Sequence, residues 1–231
     1  MCALLSKDKK ARVLFIGNSY TYYNDMPKIF ESIARAQGAD LEVLSVTKGG
    51  YTLEQLASPD NEYGRAADSL LSGERFDVVF LQEQSRRPVI DPELFMKGAE
   101  ALTKKARANR AGVILYQTWG RNKGNPELYD IARDTREMAE KLGASYLRVA
   151  GALGCSLSRV GYAFLDVFEN HTEVELYAPD GSHPNPTGSY LAALCHYAVS
   201  YGEDPTLVSY DHGEGEERAR ILKEAAKAVS L

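Results

Sequence analysis

Five short apolar runs, each closing on glycine or polar residues, are spaced along this chain by stretches of helical periodicity, and that alternation leaves few folds open. The runs are Arg12–Gly17, Leu41–Thr47, Asp77–Gln82, Gly112–Gln117 and Ser145–Val149. Each is rich in β-branched or aromatic residues, as strands are. Their near-continuous hydrophobicity suits a parallel sheet covered on both faces. Helix starts fall between them. Asp25 precedes Met26-Pro27, and Ile29, Phe30, Ile33 and Ala34 then share one face. Thr52-Leu53-Glu54-Gln55 has the form of a capping box. Asp91-Pro92 opens a helix to about Asn109, and Asn125-Pro126 opens another to Leu142. Pro186–Ser200 and Gly215–Val229 complete the helical set. The repeating β-α order predicts an α/β fold, a three-layer α/β/α sandwich around a central, mostly parallel five-stranded sheet with right-handed crossovers. No linker or repeat interrupts 1–231, so one domain is expected; only Gly151–Pro179 lacks a regular pattern.

Composition removes several function classes. A net charge of −5 is wrong for a nucleic-acid binder, and no apolar run is long enough to span a membrane. The basic stretches Lys7–Arg12 and Lys104–Arg110 read as solvated surface. Cys2, Cys155 and Cys195 show no zinc-type spacing. Cys155 and Cys195 fall in apolar helical patterns and are expected as buried free thiols, a single disulfide between them being the alternative. Neither a P-loop nor a dinucleotide fingerprint is present, so no cofactor and no metal are expected. Met1–Leu5 is too short for a signal peptide, which makes the cytoplasm the default location, or a secreted or periplasmic one if a leader has been removed.

The chemistry-bearing residues sit at strand ends. Parallel sheets gather functional groups beyond the carboxyl ends of their strands, which here are Gly17-Asn18-Ser19, Lys48-Gly49-Gly50, Gln82-Glu83-Gln84 and Thr118-Trp119-Gly120. Near the C-terminus, Asp180-Gly181-Ser182-His183-Pro184-Asn185 places a carboxylate and an imidazole three residues apart in a turn-rich loop. A hydroxyl after a strand, a histidine and an acid are the parts of a nucleophilic acyl-transfer site. His171 and His212 read as surface residues, and His196, on the apolar face with Leu191, Leu194, Cys195 and Ala198, as packed.

Three ordered blocks, Gly17-Asn18-Ser19, Gly49-Gly50-Tyr51-Thr52 and Asp180-Gly-Ser-His183-Pro-Asn185, resemble the SGNH (GDSL-like) hydrolases along most of the chain. The resemblance implies an α/β/α serine esterase, lipase, carbohydrate deacetylase or acyltransferase. It makes Ser19 the nucleophile, His183 the general base and Asp180 its orienting acid, and gives the oxyanion hole to the backbone N–H groups of Ser19 and Gly50. Many relatives carry Gly-x-Asn-Asp after the third strand, with the asparagine as third donor. Here the sequence is Leu81-Gln82-Glu83-Gln84-Ser85, which aligns Gln84 with that asparagine and leaves Gln82 as the substitute. Glutamine bears the same amide one methylene further out. The departure points to a divergent branch, some members of which act on sugar esters.

Tyr20, Tyr22, Tyr23, Tyr51 and Trp119 make an aromatic rim that suits a sugar ring better than a long acyl chain, unless they pack into the core instead. Tyr20, Tyr51 and Trp119 are taken as substrate-binding. Arg86 and Arg87, with Arg121 near Trp119, suit either an acidic substrate group or paired surface. The expectation is a metal-independent serine ester hydrolase that removes a short acyl group, acetyl, from a small or carbohydrate ester. An O-acyltransferase and a non-catalytic carbohydrate-binding module are the rivals on the same fold.

Overall fold

All of the strand pairings are parallel, and the sheet runs in the order β2-β1-β3-β4-β5. The computed structural model describes residues 3–230; Met1, Cys2 and Leu231 lie outside them. Along the chain come β1 (Ala11–Gly17), α1 (Ser19–Tyr22), α2 (Met26–Ala36), β2 (Leu41–Thr47), α3 (Leu53–Ala57), α4 (Glu62–Gly73), β3 (Val78–Leu81) and α5 (Arg87–Ile90). They are followed by α6 (Pro92–Ala108), β4 (Gly112–Tyr116), α7 (Thr135–Leu153), β5 (Ser156–Ser158), α8 (Val160–Asn170), α9 (Pro186–Tyr201) and α10 (Glu216–Ser230). Helices cover both faces, giving the expected three layers.

The two faces follow from strand alternation. Val13, Phe15, Val78, Phe80, Ile114 and Tyr116 point to one side and pack with α2, α8, α9 and α10. Leu14, Ile16, Val79, Leu81, Val113 and Leu115 point to the other and meet α3, α4, α6 and α7. Because β1 lies between β2 and β3, the chain leaves it first to one side and then to the other. A crevice opens at such a switch point, between the loops that follow β1 and β3.

Ser145–Val149 is helix, not strand. The segment holds β-formers, but the buried residues Met138, Ala139, Leu142, Tyr146, Val149 and Ala150 repeat at helical spacing, which carries α7 through it. The fifth strand is instead the short Ser156–Ser158, which has no hydrophobic run to announce it. Asn125-Pro126 opens only a 3-10 turn, Pro126–Leu128, and α7 begins later on an Asp134 cap. Asp25 caps nothing: it and Asn24 have positive φ, and its side chain makes no cap hydrogen bond. The Thr52 capping box is present with both of its hydrogen bonds. Both Cys155 and Cys195 are free. Cys195 is buried in α9, whereas Cys155 lies half-buried between α7 and β5 and not in a helix. No helix among the described residues is long and apolar enough to cross a membrane.

Candidate active site

Ser19 stands at the first position of α1, directly beyond β1. Asn18 caps this short helix through Tyr20 N–H (3.2 Å) and is itself tied to the next loop by Asn18 Nδ2 donating to the Tyr51 carbonyl (2.9 Å). Beneath it, Gln82 Oε1 accepts from Asn18 N–H (2.8 Å) and Thr21 Oγ1 (2.9 Å). Gly17 is required there, since a Cβ would collide with Thr21 and Gln82. Gln82 is therefore spent on holding the serine turn.

Asp180 and His183 are brought together locally. Asp180 Oδ1 accepts from the Ser182 and His183 N–H groups, both at 2.9 Å, leaving Oδ2 for His183 Nδ1 at 2.5 Å. Burial raises a carboxyl's pKa, but the hydrogen bonds from the His183 ring and from the two N–H groups outweigh it and hold Asp180 below its ordinary value. On the other side of the ring, His183 Nε2 lies 2.9 Å from Ser19 Oγ. Tyr23 stacks flat on the imidazole, with centroids 4.1 Å apart. Asn24, whose Nδ2 donates to Pro184 O (3.0 Å) and Ser189 Oγ (2.9 Å), ties the Tyr23 turn to the histidine loop. Asn125 and Asn122 brace that loop from outside, donating to the carbonyls of Asp180 and Gly181 at 2.8 Å each.

Trp119 is not on the rim. It is fully buried, sandwiched between Tyr20 (4.6 Å) and Phe164 (4.1 Å), and its Nε1 donates to Ser182 O at 3.0 Å. Its ring anchors the histidine loop to the core. Tyr20 borders the cavity but is itself buried, with its hydroxyl 2.6 Å from Ser182 Oγ. Tyr51 packs edge-on against Tyr63 beside the second core and does not line the cavity. Of the aromatic residues after Ser19, Tyr22 is the exposed one. Arg86 and Arg87 are paired with Asp130 (2.9 Å) and Asp91 (3.2 Å). His196 is buried against Ser158 Oγ (2.8 Å), and burial lowers its pKa to about 3.

A cavity of about 180 Å³ lies over the serine, lined by Asn18, Ser19, Tyr20, Gly50, Gln84, Ser85, Arg121, Ser182 and His183. Gly50 has φ of +76°, and a Cβ there would meet nothing, so its backbone lies open. The Gln84 amide orients itself: Oε1 accepts from Arg86 N–H (2.8 Å) and Arg87 N–H (3.1 Å), which only an oxygen can do. Its NH2 is left without a partner among the described residues. Ser19, Gly50 and Gln84 thus bring unpaired N–H groups to one cavity, the arrangement that stabilises a developing oxyanion.

Sequence reasoning passed over Glu83, the fully buried neighbour of Gln84. Its Oε1 accepts from Gln84 N–H (2.6 Å) and from Leu53 N–H (3.1 Å) at the start of α3, tying the loop after β3 to the one that carries Gly50. Burial lifts its pKa from 4.5 to about 7, against the pull of those two N–H groups. Below pH 4.5 the carboxyl is protonated whether the chain is folded or not. As pH rises from there to about 7 the unfolded chain ionises it first, so stability falls. Above that the loss levels off at about 3 kcal/mol. Between about pH 5 and pH 8, urea unfolding of wild type should therefore lose stability relative to Glu83→Gln, whose side chain does not titrate. A stability gap that stays constant across that range would refute the raised pKa.

No protein-family model and no curated protein matches the chain. Solved structures do. A protein from Slackia heliotrinireducens assigned as an SGNH hydrolase is 29% identical, with a TM-score of 0.72 over 83% of this chain and 99% of that one. A DUF4886 family protein from Bacteroides uniformis reaches a TM-score of 0.81 at 17% identity, over 95% and 94% of the two chains. Axe2, an acetyl-xylooligosaccharide esterase from Geobacillus solved as a point mutant, has a TM-score of 0.64 at 15% identity over 84% and 96%. With its five parallel strands and its three sequence blocks brought to one cavity, the chain has the three-layer fold of the SGNH-like hydrolases.

Proposed function

We propose that the protein is a serine ester hydrolase that removes a short acyl group, acetyl, from a small or carbohydrate ester. The observation that carries this reading is the hydrogen-bonded chain Ser19 Oγ–His183 Nε2 (2.9 Å) and His183 Nδ1–Asp180 Oδ2 (2.5 Å), facing three unpaired N–H donors across one cavity. Ser19 Oγ attacks the acyl carbon while its proton passes to His183 Nε2. The carbonyl oxygen, now negative, takes hydrogen bonds from Ser19 N–H, Gly50 N–H and the Gln84 NH2. Collapse expels the alcohol oxygen, which leaves with the proton from His183. Water then attacks the acyl-serine with His183 again as base, releasing the acid and restoring Ser19. Asp180 keeps the proton on Nδ1 throughout and stabilises the imidazolium.

The acyl length follows from the lining. No aliphatic side chain is among those nine residues, so a long chain would bury its methylenes against hydroxyls and amides. The exposed Tyr22, beside the Tyr23 that stacks on His183, suits the face of a sugar ring, and Axe2, of the same fold, is by its name an esterase of acetylated xylooligosaccharides. A series of p-nitrophenyl acetate, butyrate and octanoate tests the acyl preference. The expected kcat/KM falls at least about tenfold from acetate to octanoate. Preference for octanoate overturns the short-acyl reading, and product formed only when a sugar acceptor is present would mark an acyltransferase.

A further inference from the structure

Among the residues that line the cavity, Arg121 alone carries a permanent charge, and it is only 5% exposed. The chain reaches this point from β4 by passing Gly120 flat against α7, where any side chain would strike the Thr135 carbonyl. Arg121 is then fixed by its carbonyl, which accepts from Thr135 Oγ1 at 2.7 Å. Its guanidinium has five N–H donors. Nη1 meets Asn125 Oδ1 (3.0 Å) and the Glu127 carboxylate, and Nη2 donates to Ser85 Oγ (3.1 Å). Nε is buried and has no partner among the described residues. Three acceptors thus serve five donors, an incomplete set for a buried cation.

The surroundings are equally rich in donors. Ser85, Tyr20 and Ser182, each with a hydroxyl, line the same cavity, and no carboxylate is among its lining residues. Glu127, the counter-charge, is half-exposed outside that lining. Arg86 and Arg87 are held by acids of their own. A ligand group that supplies acceptors only, in a plane that matches a guanidinium, is a carboxylate.

We propose that Arg121, with Ser85, forms a carboxylate subsite, so that the preferred substrate is an acylated hydroxy acid, such as an acidic sugar, with the ester and the carboxylate on one molecule. This rests on the esterase reading above and narrows it.

The test is a matched pair, 3-acetoxybenzoate and its methyl ester, which share the acetyl group and the phenol ring that leaves and differ in whether that ring bears a carboxylate or its neutral ester. Wild type is expected to favour the acid in kcat/KM by about tenfold, or about 1.4 kcal/mol. Arg121→Gln should bring the two within about twofold, and Glu127→Gln, by removing the counter-charge, should widen the gap. The ratio cancels any general damage that Arg121→Gln does to the site. Equal rates in wild type, a preference that survives Arg121→Gln, or a gap that fails to widen in Glu127→Gln would each overturn the subsite. Calorimetric binding of both compounds to Ser19→Ala separates the two readings. Preferential binding of the acid without turnover by wild type keeps the subsite and sinks the esterase, whereas hydrolysis with no preference sinks the subsite alone.

Discussion

Ser19→Ala is expected to lower kcat/KM for p-nitrophenyl acetate by about three to six orders of magnitude, the loss that serine hydrolases show without their nucleophile. The substitution takes away one oxygen, whose only hydrogen bond among the described residues is to His183 Nε2. The α1 cap belongs to Asn18, and the packing below belongs to Gln82 and Thr21, so neither is disturbed. Thermal unfolding should therefore shift little, which makes the lost activity attributable to chemistry and not to folding. A labelled fluorophosphonate should mark wild type at Ser19 and leave the variant unmarked. Turnover that survives the substitution would remove Ser19 from the mechanism and, with it, the assignment of His183 as its base.

Loss of the Gln84 donor is expected to lower kcat about 100-fold with KM little changed, because an oxyanion donor acts only once the charge has developed. Gln84→Ala alone is ambiguous. Its Oε1 also accepts from Arg86 and Arg87 N–H, so alanine would cost about 1 kcal/mol of stability through the lost cap. Gln84→Glu separates the two jobs. It keeps an acceptor for both N–H groups but replaces the NH2 with an oxygen that repels the oxyanion. Stability should hold while kcat falls at least as far as in the alanine variant. Hydrolysis by Gln84→Glu at the wild-type rate would exclude the side chain as third donor and leave the hole to the Ser19 and Gly50 N–H groups.

The polar residues around this donor show how far a sequence can be read. Gln82 and Gln84 are two residues apart, and alternation alone says only that they point to the same side of an extended chain. What separates their roles is company: Gln82 is fixed under Asn18 and Thr21, and Gln84 is fixed by the turn that opens α5. Glu83 and Arg121 are harder to read, since a charge in a loop looks like surface until the elements around it are known. Each is buried by packing that comes from distant segments, α3 and α7 for Glu83, Ser85 and Thr135 for Arg121. Trp119 misleads in the opposite direction. An aromatic residue after a strand suggests a platform for substrate, but Phe164 of α8 covers one of its faces and Tyr20 the other.

Local pattern was enough for β1 to β4, for the face of α2, for the start and end of α6, for the Thr52 capping box and for the Asp180–His183 pair, whose contact is made within one turn. These depend on sterics and hydrogen bonds between near neighbours, which the order of residues determines. It misjudged Ser145–Val149, where a helix of 19 residues overrode strand-forming side chains. The meeting of Ser19 with a histidine 164 residues away was legible only through the resemblance of the blocks that carry them, and tertiary structure alone decided that Arg121 ends in the cavity and that Trp119 does not. Those outcomes follow from how the crossovers stack helices on a twisted sheet, and burial of a side chain is a property of that stack and not of its neighbours in the chain.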